Sequence, residues 1–208
     1  MGNVCAILLA AGKSSRMKEP KQLMNWNGKS LIQHQIELLS ELSLPDIFVV
    51  LGCQAKTILQ TVSNNDPRIS YLQCPNYEEG LSASIKFGLQ QASKQQYDGV
   101  LVMLVDIPLI QTNTIKLVYD TGATHLITNT EPFAIQPQFK NKPGHPVFIG
   151  GVRSLHVHSL HGDIGLKPLI KQMKTRVILD TDDIGVVYDI DTPQDYNEAL
   201  RISQAGFY

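Results

Sequence analysis

Cationic residues follow a short stretch of small residues near the start of the chain. The apolar run Val4 to Ala10 continues into Ala11 and Gly12, and four cations follow: Lys13, Arg16, Lys18 and Lys21. Small residues let a ligand approach the backbone, and successive N–H groups can point together at an anion. A strand that ends in such a loop is a common phosphate site in α/β proteins. The stretch therefore predicts phosphate binding, mainly by Arg16 and Lys21, although solvated lysines on a tight loop fit the same pattern.

Carboxylates stand at the ends of two later segments. Asp106 follows the apolar run 99–105, which is typical of a strand buried on both faces. A carboxylate there needs a cationic partner, and ligands of open α/β sheets bind beyond the strand ends. Asp189 and Asp191 stand two apart, so they share one face of an extended segment. Because Thr192 and Pro193 make a good helix start, Asp191 also fits a capping role.

Three other polar segments are weaker candidates. Ser82 and Ser84 follow Gly80 at the predicted start of a helix, where hydroxyls and free N–H groups can bind polar or anionic groups or simply cap the helix. His145 stands alone and fits a structural role as well as a ligand contact. The spacing His156-x-His158-x-x-His161 is a poor zinc pattern, since it lacks Cys, Asp or Glu at fixed positions.

Strands and helices alternate along the chain and would position these residues. Apolar runs predict strands at 4–10, 47–51, 68–73 and 99–106. Helical spacing predicts helices at 31–42 and 55–62 and a third helix with Ser82 and Ser84 in its first turn. Thr112 is predicted to cap a helix over 113–119, and strands are predicted at 125–130, 176–180 and 185–190, with an irregular excursion over the active face at 131–143. The alternation predicts a single-domain α/β fold, with a mostly parallel Rossmann-like sheet and helices on both faces.

Composition excludes several classes of protein. The 208 residues fit one domain over 1–208, and a net charge of −1 argues against a broad nucleic-acid surface. Apolar runs fall short of the roughly 20 residues that cross a bilayer, so we expect no membrane partner. The three cysteines, Cys5, Cys53 and Cys74, lack metal spacing and are expected to be reduced core thiols. With no signal peptide before the first strand, a cytoplasmic location is predicted.

The segment Leu9-Ala10-Ala11-Gly12-x-Ser14-x-Arg16-Met17, followed by Pro20-Lys21-Gln22-Leu23, resembles the signature of nucleotidyltransferases of the glycosyltransferase-A-like fold. It is most similar to the molybdenum cofactor cytidylyltransferases. Later segments extend the resemblance over nearly the whole chain: the asparagine-to-serine segment Asn76–Ser84, Asp106-x-Pro108, Gly144-His145-Pro146, Gly162-Asp163-x-Gly165 and Asp189-Ile190-Asp191-Thr192-Pro193. Four positions depart from the family pattern: Tyr77 for tryptophan, Ile107 for glutamine, Leu166 for a small residue and Lys167 for arginine.

The resemblance implies a role for each matched residue. Lys21, Arg16 and Asp106 are expected to be catalytic. Magnesium is expected on Asp106 and Asp189, with Asp191 as the second choice. The nucleotide is expected to contact Leu9, Ala10, Ala11, Gly12, Arg16, Lys21, Gly80, Ser82 and Ser84, and the second substrate His145, Asp163 and Asp191.

The implied reaction transfers CMP from CTP to the phosphate of the molybdenum–molybdopterin cofactor, giving the cytosine dinucleotide and pyrophosphate. The Leu-Ala-Ala-Gly form and Pro20 resemble the cytidylyl branch of the family. Two alternatives stay open: a nucleotidyltransferase of the same fold that acts on another phosphorylated small molecule, and a cofactor-binding escort for a molybdenum hydroxylase with little catalysis. A molybdenum hydroxylase or its accessory proteins are the expected macromolecular partners.

Overall fold

The computed structural model of the chain describes residues 3–17, 19–62 and 65–205. Its helices are α1 (Leu31–Ser40), α2 (Ala55–Thr61), α3 (Leu81–Lys94), α4 (Thr112–His125), α5 (Lys167–Gln172) and α6 (Pro193–Gln204). Its strands are β1 (Val4–Ala10), β2 (Asn25–Trp26), β3 (Lys29–Ser30), β4 (Ile47–Leu51), β5 (Ile69–Gln73), β6 (Gly99–Leu104), β7 (Phe133–Phe139), β8 (Lys142–Pro143), β9 (Val147–Gly150) and β10 (Thr175–Asp180).

One eight-stranded sheet organises the described residues. Its strand order is β10-β7-β9-β6-β1-β4-β5, and β8 pairs with β7. The pairs β1–β4, β1–β6, β4–β5 and β10–β7 are parallel, whereas β9 runs antiparallel to β6 and β7. From β1 the chain first builds outward to β4 and β5 and then returns to place β6 on the other side of β1. This reversal is the point at which open α/β sheets bind ligands.

Helices cover both faces of the sheet, as predicted. Alternate residues of β1 face opposite sides, so Ala6 and Leu8 pack in one core with α1, α2 and α4. Cys5 and Ile7 pack in the other core with α3 and α5. A buried central strand with a helical layer on each face explains the near-continuous apolar runs in the sequence.

The sequence interpretation of residues 112–130 is wrong in two respects. Gln111, rather than Thr112, is the N-cap of α4, and this helix continues to His125, so the strand predicted at 125–130 is absent from the described residues. Ile115, Val118 and Gly122 are buried along one helical face. A Cβ on Gly122 would lie 2.2 Å from Phe148, so the glycine lets α4 approach β9 closely instead of ending the helix.

Two other segments also differ from their predictions. The stretch predicted as an irregular excursion contains β7, whose first residues pair with β9 on one side and β10 on the other. Pro137 argues against a strand here, since proline is rare in central strands. In the structure Pro137 lies beyond the pairing of β7 with β9, which stops at Ile135. The strand predicted at 185–190 is instead a 3₁₀ helix, Ile184–Val187, followed by a segment without strand pairing.

Helix length and cysteine burial bear on two predictions from composition. No helix among the described residues combines the length and apolarity needed to cross a membrane. Cys5 and Cys74 are buried free thiols, as expected, whereas Cys53 is only half-buried.

Candidate active site

Two adjoining cavities open at the carboxyl ends of β1 and β6. The first lobe, of about 440 Å³, is lined by Ala11, Gly12, Tyr77, Gly80, Leu81 and Ser84 among others. The second lobe, of about 650 Å³, is lined by Arg16, Lys142, His145, Asp189 and Asp191 among others. Lys21, Asp106 and Asp163 line both lobes, so they lie where the lobes meet. The fold thus brings together residues from both ends of the chain.

The loop after β1 lines the first lobe, as the sequence predicts. Ala11 and Gly12 line it directly, together with Leu9 at the end of the strand. Ala10 is buried and contributes its carbonyl oxygen to a hydrogen bond from the side chain of Gln22. A Cβ on Gly12 would have open space around it, so the loop leaves room for a ligand beside its backbone.

Lys21 lies between two aspartates. Its Nζ donates to Oδ2 of Asp106 and to Oδ1 of Asp191, both at 3.0 Å. The backbone N–H of Lys21 donates to Oγ of Ser14, which ties the 3₁₀ turn Lys21–Leu23 to the loop. The side chain is 10% exposed, so the ammonium is held at one place rather than free in solvent.

Charge pairing shifts the pKa values of Lys21 and Asp191. Burial lowers the pKa of Lys21, but Asp106 and Asp191 outweigh burial and raise it above its ordinary value. Burial raises the pKa of Asp191, but Lys21 and Arg16 hold it below its usual range. Nη2 of Arg16 donates to Oδ2 of Asp191 at 2.8 Å. Lys21 and Asp191 are therefore both ionised at neutral pH. Lys18, which was also predicted as a cation of this stretch, lies outside the described residues.

The aspartates provide oxygen ligands suited to a hard divalent cation. Oδ1 of Asp106 is buried and has no hydrogen-bond partner among the described residues, while Oδ2 already holds a cation, the Lys21 ammonium. In residues 3–17, 19–62 and 65–205, no group of three or more His, Cys, Asp and Glu could hold a metal, which also excludes the histidine cluster at 156–161. Magnesium commonly uses one or two carboxylates plus substrate phosphates. The residues present therefore fit magnesium bound together with a nucleotide.

The segment that carries Asp189 and Asp191 is pinned beside β6. The N–H of Ile190, which is fully buried, donates to the carbonyl of Asp106 at 2.8 Å. Alternation about Ile190 directs Asp189 and Asp191 toward the second lobe without a strand being formed. At the start of α6, Thr192 and Asp195 form a capping box, and Asp195 Oδ2 also accepts from the N–H of Asp191. Thr192 rather than Asp191 thus caps α6, and Asp191 lines the second lobe.

The first turn of α3 is joined to the loop 161–163. Oδ1 of Asp163 accepts from the N–H of Leu81 at 2.9 Å, and the N–H of Ser82 donates to the carbonyl of Gly162. The buried hydroxyl of Ser82 donates to the carbonyl of His161. Ser82 therefore holds this loop in place and does not line the first lobe, whereas Gly80 and Ser84 do. The predicted serine pair is split between a structural and a cavity position.

His145 and Lys142 lie in the second lobe. Nδ1 of His145 is buried and has no hydrogen-bond partner among the described residues. Burial lowers the pKa of its imidazole, with Asp106 and Asp189 opposing the shift, so the ring is neutral at pH 7. Lys142 is exposed and donates to the carbonyl of Val187. This lobe thus offers a neutral imidazole and a cation close to the aspartates.

Three residues of the site were assigned no role from the sequence. Lys142 had a signal, since it is a cation just before Gly144-His145-Pro146. Tyr77, quoted only as a departure from a motif, lines the first lobe and packs so closely on Gly52 that a Cβ there would lie 2.6 Å from it. Gln22 stands inside the quoted Pro20-Lys21-Gln22-Leu23 motif, but its bonds to the loop require the three-dimensional structure.

A mostly parallel α/β sheet, with a cation-bearing loop after its first strand and aspartates at the adjoining strand end, fits a nucleotidyltransferase. The chain belongs to the MobA-like NTP transferase domain family, whose model matches residues 6–177. This finding confirms the predicted fold and the general class of enzyme.

Similar proteins cover nearly the whole chain. The purine catabolism protein PucB of Bacillus subtilis (strain 168) is 25% identical over 202 residues, which span 94% of this chain and 95% of PucB. Nicotine blue oxidoreductase of Paenarthrobacter nicotinovorans is 24% identical over 192 residues, spanning 91% and 92%. The crystal structure of Rv0371c from Mycobacterium tuberculosis H37Rv superposes with a TM-score of 0.78 and 21% identity, covering 96% of this chain and 98% of Rv0371c. Rv0371c has also been solved in complex with manganese.

Proposed function

We propose that this protein transfers CMP from CTP to the phosphate of the molybdenum–molybdopterin cofactor, releasing pyrophosphate. One observation carries the proposal: the Lys21 ammonium is held by Asp106 and Asp191 where the two lobes of the cleft meet. Nucleotidyl transfer needs its charge-stabilising groups at such a junction, because the bond is made and broken between two bound molecules.

The first lobe receives the nucleotide. The loop of Ala11 and Gly12 offers backbone N–H groups without bulky side chains, and Gly80 and Ser84 line the facing side. Arg16, whose side chain is 64% exposed, can turn from Asp191 to the triphosphate at little cost.

Lys21 stabilises the negative charge that develops on the α-phosphate. Its ammonium is positioned in advance by two carboxylates, so little reorganisation accompanies the reaction. The attacking group is a phosphate monoester, which is already ionised at neutral pH. No general base is therefore required, and none is assigned.

Asp106 and Asp189 are the proposed magnesium ligands. Asp106 has an oxygen without a hydrogen-bond partner among the described residues, and Asp189 is an exposed residue of the second lobe. Asp191 is second choice, since Lys21 and Arg16 already neutralise it. When bound, the metal neutralises phosphate charge on the nucleotide and the incoming group.

The second lobe receives the molybdenum cofactor. His145, Asp163 and Asp191 are the proposed contacts, and Lys142 adds positive charge for the phosphate of the acceptor. The choice of cytosine and of the pterin is supported by the Leu9-Ala10-Ala11-Gly12 and Gly144-His145-Pro146 motifs and by membership of the MobA-like family. A molybdenum hydroxylase in the cytoplasm is the proposed recipient of the product.

Pyrophosphate release tests the proposal. Purified protein is incubated with magnesium and CTP, GTP or ATP, each with and without molybdenum cofactor. We expect release only with CTP plus cofactor, and no release with EDTA. Release with another nucleotide would overturn the cytosine assignment alone. Release with CTP and a different phosphorylated acceptor, such as a sugar or polyol phosphate, would overturn the pterin assignment. Cofactor binding without release under any condition would indicate an escort.

A further inference from the structure

Gln22 is a buried residue whose carboxamide faces the loop after β1. Gln22 is only 2% exposed and lies next to Lys21 in the 3₁₀ turn Lys21–Leu23. Nε2 donates to the carbonyl of Ala10 at 2.8 Å and to the carbonyl of Gly12 at 3.0 Å. Both N–H bonds of one amide group are thus used on two carbonyls that flank Ala11.

A third bond fixes the carbonyl between them. The N–H of Cys53 donates to the carbonyl of Ala11 at 3.3 Å, so three consecutive carbonyls of the loop have donors. In a planar trans peptide the N–H points opposite to the C=O of the same unit. The N–H groups of Ala11, Gly12 and Lys13 are therefore directed away from these three donors, and their orientation is fixed before any ligand arrives.

The chemistry of this contact is specific to a glutamine at this position. Two carbonyl oxygens need two donors, and the terminal NH₂ of glutamine provides both from one atom. An ionised glutamate only accepts, and methionine has no donor of comparable strength. Leaving the buried carbonyl of Ala10 without a partner is costly, so the loop would move to satisfy it from another source.

We propose that Gln22 is a positioning residue that sets the shape of the nucleotide-binding loop and, through it, the affinity for the nucleoside triphosphate. The inference rests on the proposed function in one respect, that this loop binds the nucleotide. It adds a residue that lines the first lobe and whose amide acts through the backbone of Ala10 and Gly12.

Binding of CTP in the presence of magnesium tests this role by isothermal titration calorimetry. In Gln22→Met we expect the Kd for CTP to rise about tenfold, the fold-change of roughly one to two lost neutral hydrogen bonds. Gln35→Met is the matched control. Gln35 is fully buried, and its amide atoms have no hydrogen-bond partner among the described residues, so the same substitution there should leave the Kd unchanged. An unchanged Kd in folded Gln22→Met would overturn the proposal.

A second variant separates donation from side-chain volume. In Gln22→Glu the ionised carboxylate faces two carbonyls without a proton to donate, whereas its neutral form regains one O–H donor. The ratio of its Kd to that of the wild type, at equal pH, should therefore fall as the pH is lowered from 8 to 5. A ratio that stays constant would contradict hydrogen-bond donation as the cause, because loss of packing alone does not depend on pH.

Hydrogen–deuterium exchange tests the loop without any nucleotide. Peptides that cover residues 10–13 should exchange faster in Gln22→Met than in wild type and Gln35→Met, while peptides from β4 keep their protection. Equal exchange would overturn the positioning of the loop even if CTP never binds. Failure of wild-type protein to bind CTP, GTP or ATP would instead overturn the proposed function, and the exchange result would still decide the role of Gln22 in the loop.

Discussion

Lys21 and Asp191 lie 170 positions apart in the sequence, and their Nζ and Oδ1 atoms are 3.0 Å apart in the structure. The first belongs to the loop after the opening strand and the second to the segment before the last helix. Asp106, from the end of β6, completes the contact on the same ammonium. The site is therefore assembled from three separate parts of the chain, and each part can be tested by substitution.

Replacement of Lys21 should affect the chemical step more than binding. We expect Lys21→Ala to lower kcat about 10²–10³-fold, the usual effect of removing one donor to developing negative charge. Steady-state pyrophosphate release measures this effect. Lys56→Ala, at an exposed position on α2, is the control and should retain wild-type kcat. A change confined to the KM for CTP would reduce Lys21 to a substrate-positioning role.

Replacement of Asp106 should remove turnover and weaken metal binding. Its carboxylate has one oxygen on Lys21 and one without a partner among the described residues, so Asp106→Ala removes both oxygens from the junction of the lobes. Manganese binding in the presence of CTP, followed by electron paramagnetic resonance, should weaken together with activity. Asp120→Ala on the exposed surface of α4 should change neither measurement. Normal turnover in folded Asp106→Ala would remove the metal assignment.

The pairing of Lys21 with Asp191 predicts how stability depends on pH. The lowered pKa of Asp191 means that its contribution is present above the pKa of the unfolded chain and is lost as pH falls through the folded value. The raised pKa of Lys21 means that its contribution is present below the unfolded pKa and is lost as pH rises through the folded value.

We therefore expect the difference in unfolding free energy between wild type and Lys21→Met to be constant between roughly pH 5 and 9 and to shrink outside that interval. Urea unfolding at a series of pH values measures the difference. A difference that grows below pH 4 would show that the ion pair is not its source.

Gly12, which lines the first lobe, and Gly52, which packs against Tyr77, should respond differently to alanine. In Gly52→Ala the new Cβ would lie 2.6 Å from Tyr77 and 2.8 Å from the carbonyl of Ala11, so the unfolding midpoint should fall. In Gly12→Ala the Cβ meets nothing within 4 Å, so stability should be retained while CTP binds more weakly. Thermal unfolding and calorimetric titration with CTP distinguish the two effects. Wild-type affinity in Gly12→Ala would indicate that the ligand does not approach this residue.

Thr192, the N-cap of α6, can be compared with Thr112, the residue after the N-cap of α4. Thr192 Oγ1 accepts from the N–H of Asp195, and its removal in Thr192→Ala should cost about 1 kcal/mol of unfolding free energy. Thr112 follows the N-cap of α4, whose cap residue Gln111 makes no side-chain cap bond, so Thr112→Ala should cost less. Chemical denaturation of both variants measures the difference. Equal losses would contradict the importance of the capping box.

The central strands and their helices could be predicted because their signal is local. β1 and β4 match their predicted bounds, and α1 begins at Leu31 as predicted. Continuous apolar runs can be satisfied only by burial on both faces, and such runs are visible in the sequence. The errors fall where distant contacts decide the structure. Gly122 extends α4 because it packs on Phe148, and Pro137 is tolerated in β7 because the pairing with β9 has already ended.

The sequence alone determined which residue types were available for chemistry: the loop ending in Gly12, the cation Lys21 and the carboxylates Asp106, Asp189 and Asp191. The motifs that contain these residues also indicated the family, and the family model matches residues 6–177 of the chain. Only the tertiary structure decided how these groups pair. It placed Lys21 between Asp106 and Asp191, left Asp189 in the second lobe and directed Gln22 to the loop. Side-chain types are local properties of the chain, whereas distances between residues far apart in sequence depend on how the whole sheet and its helices pack.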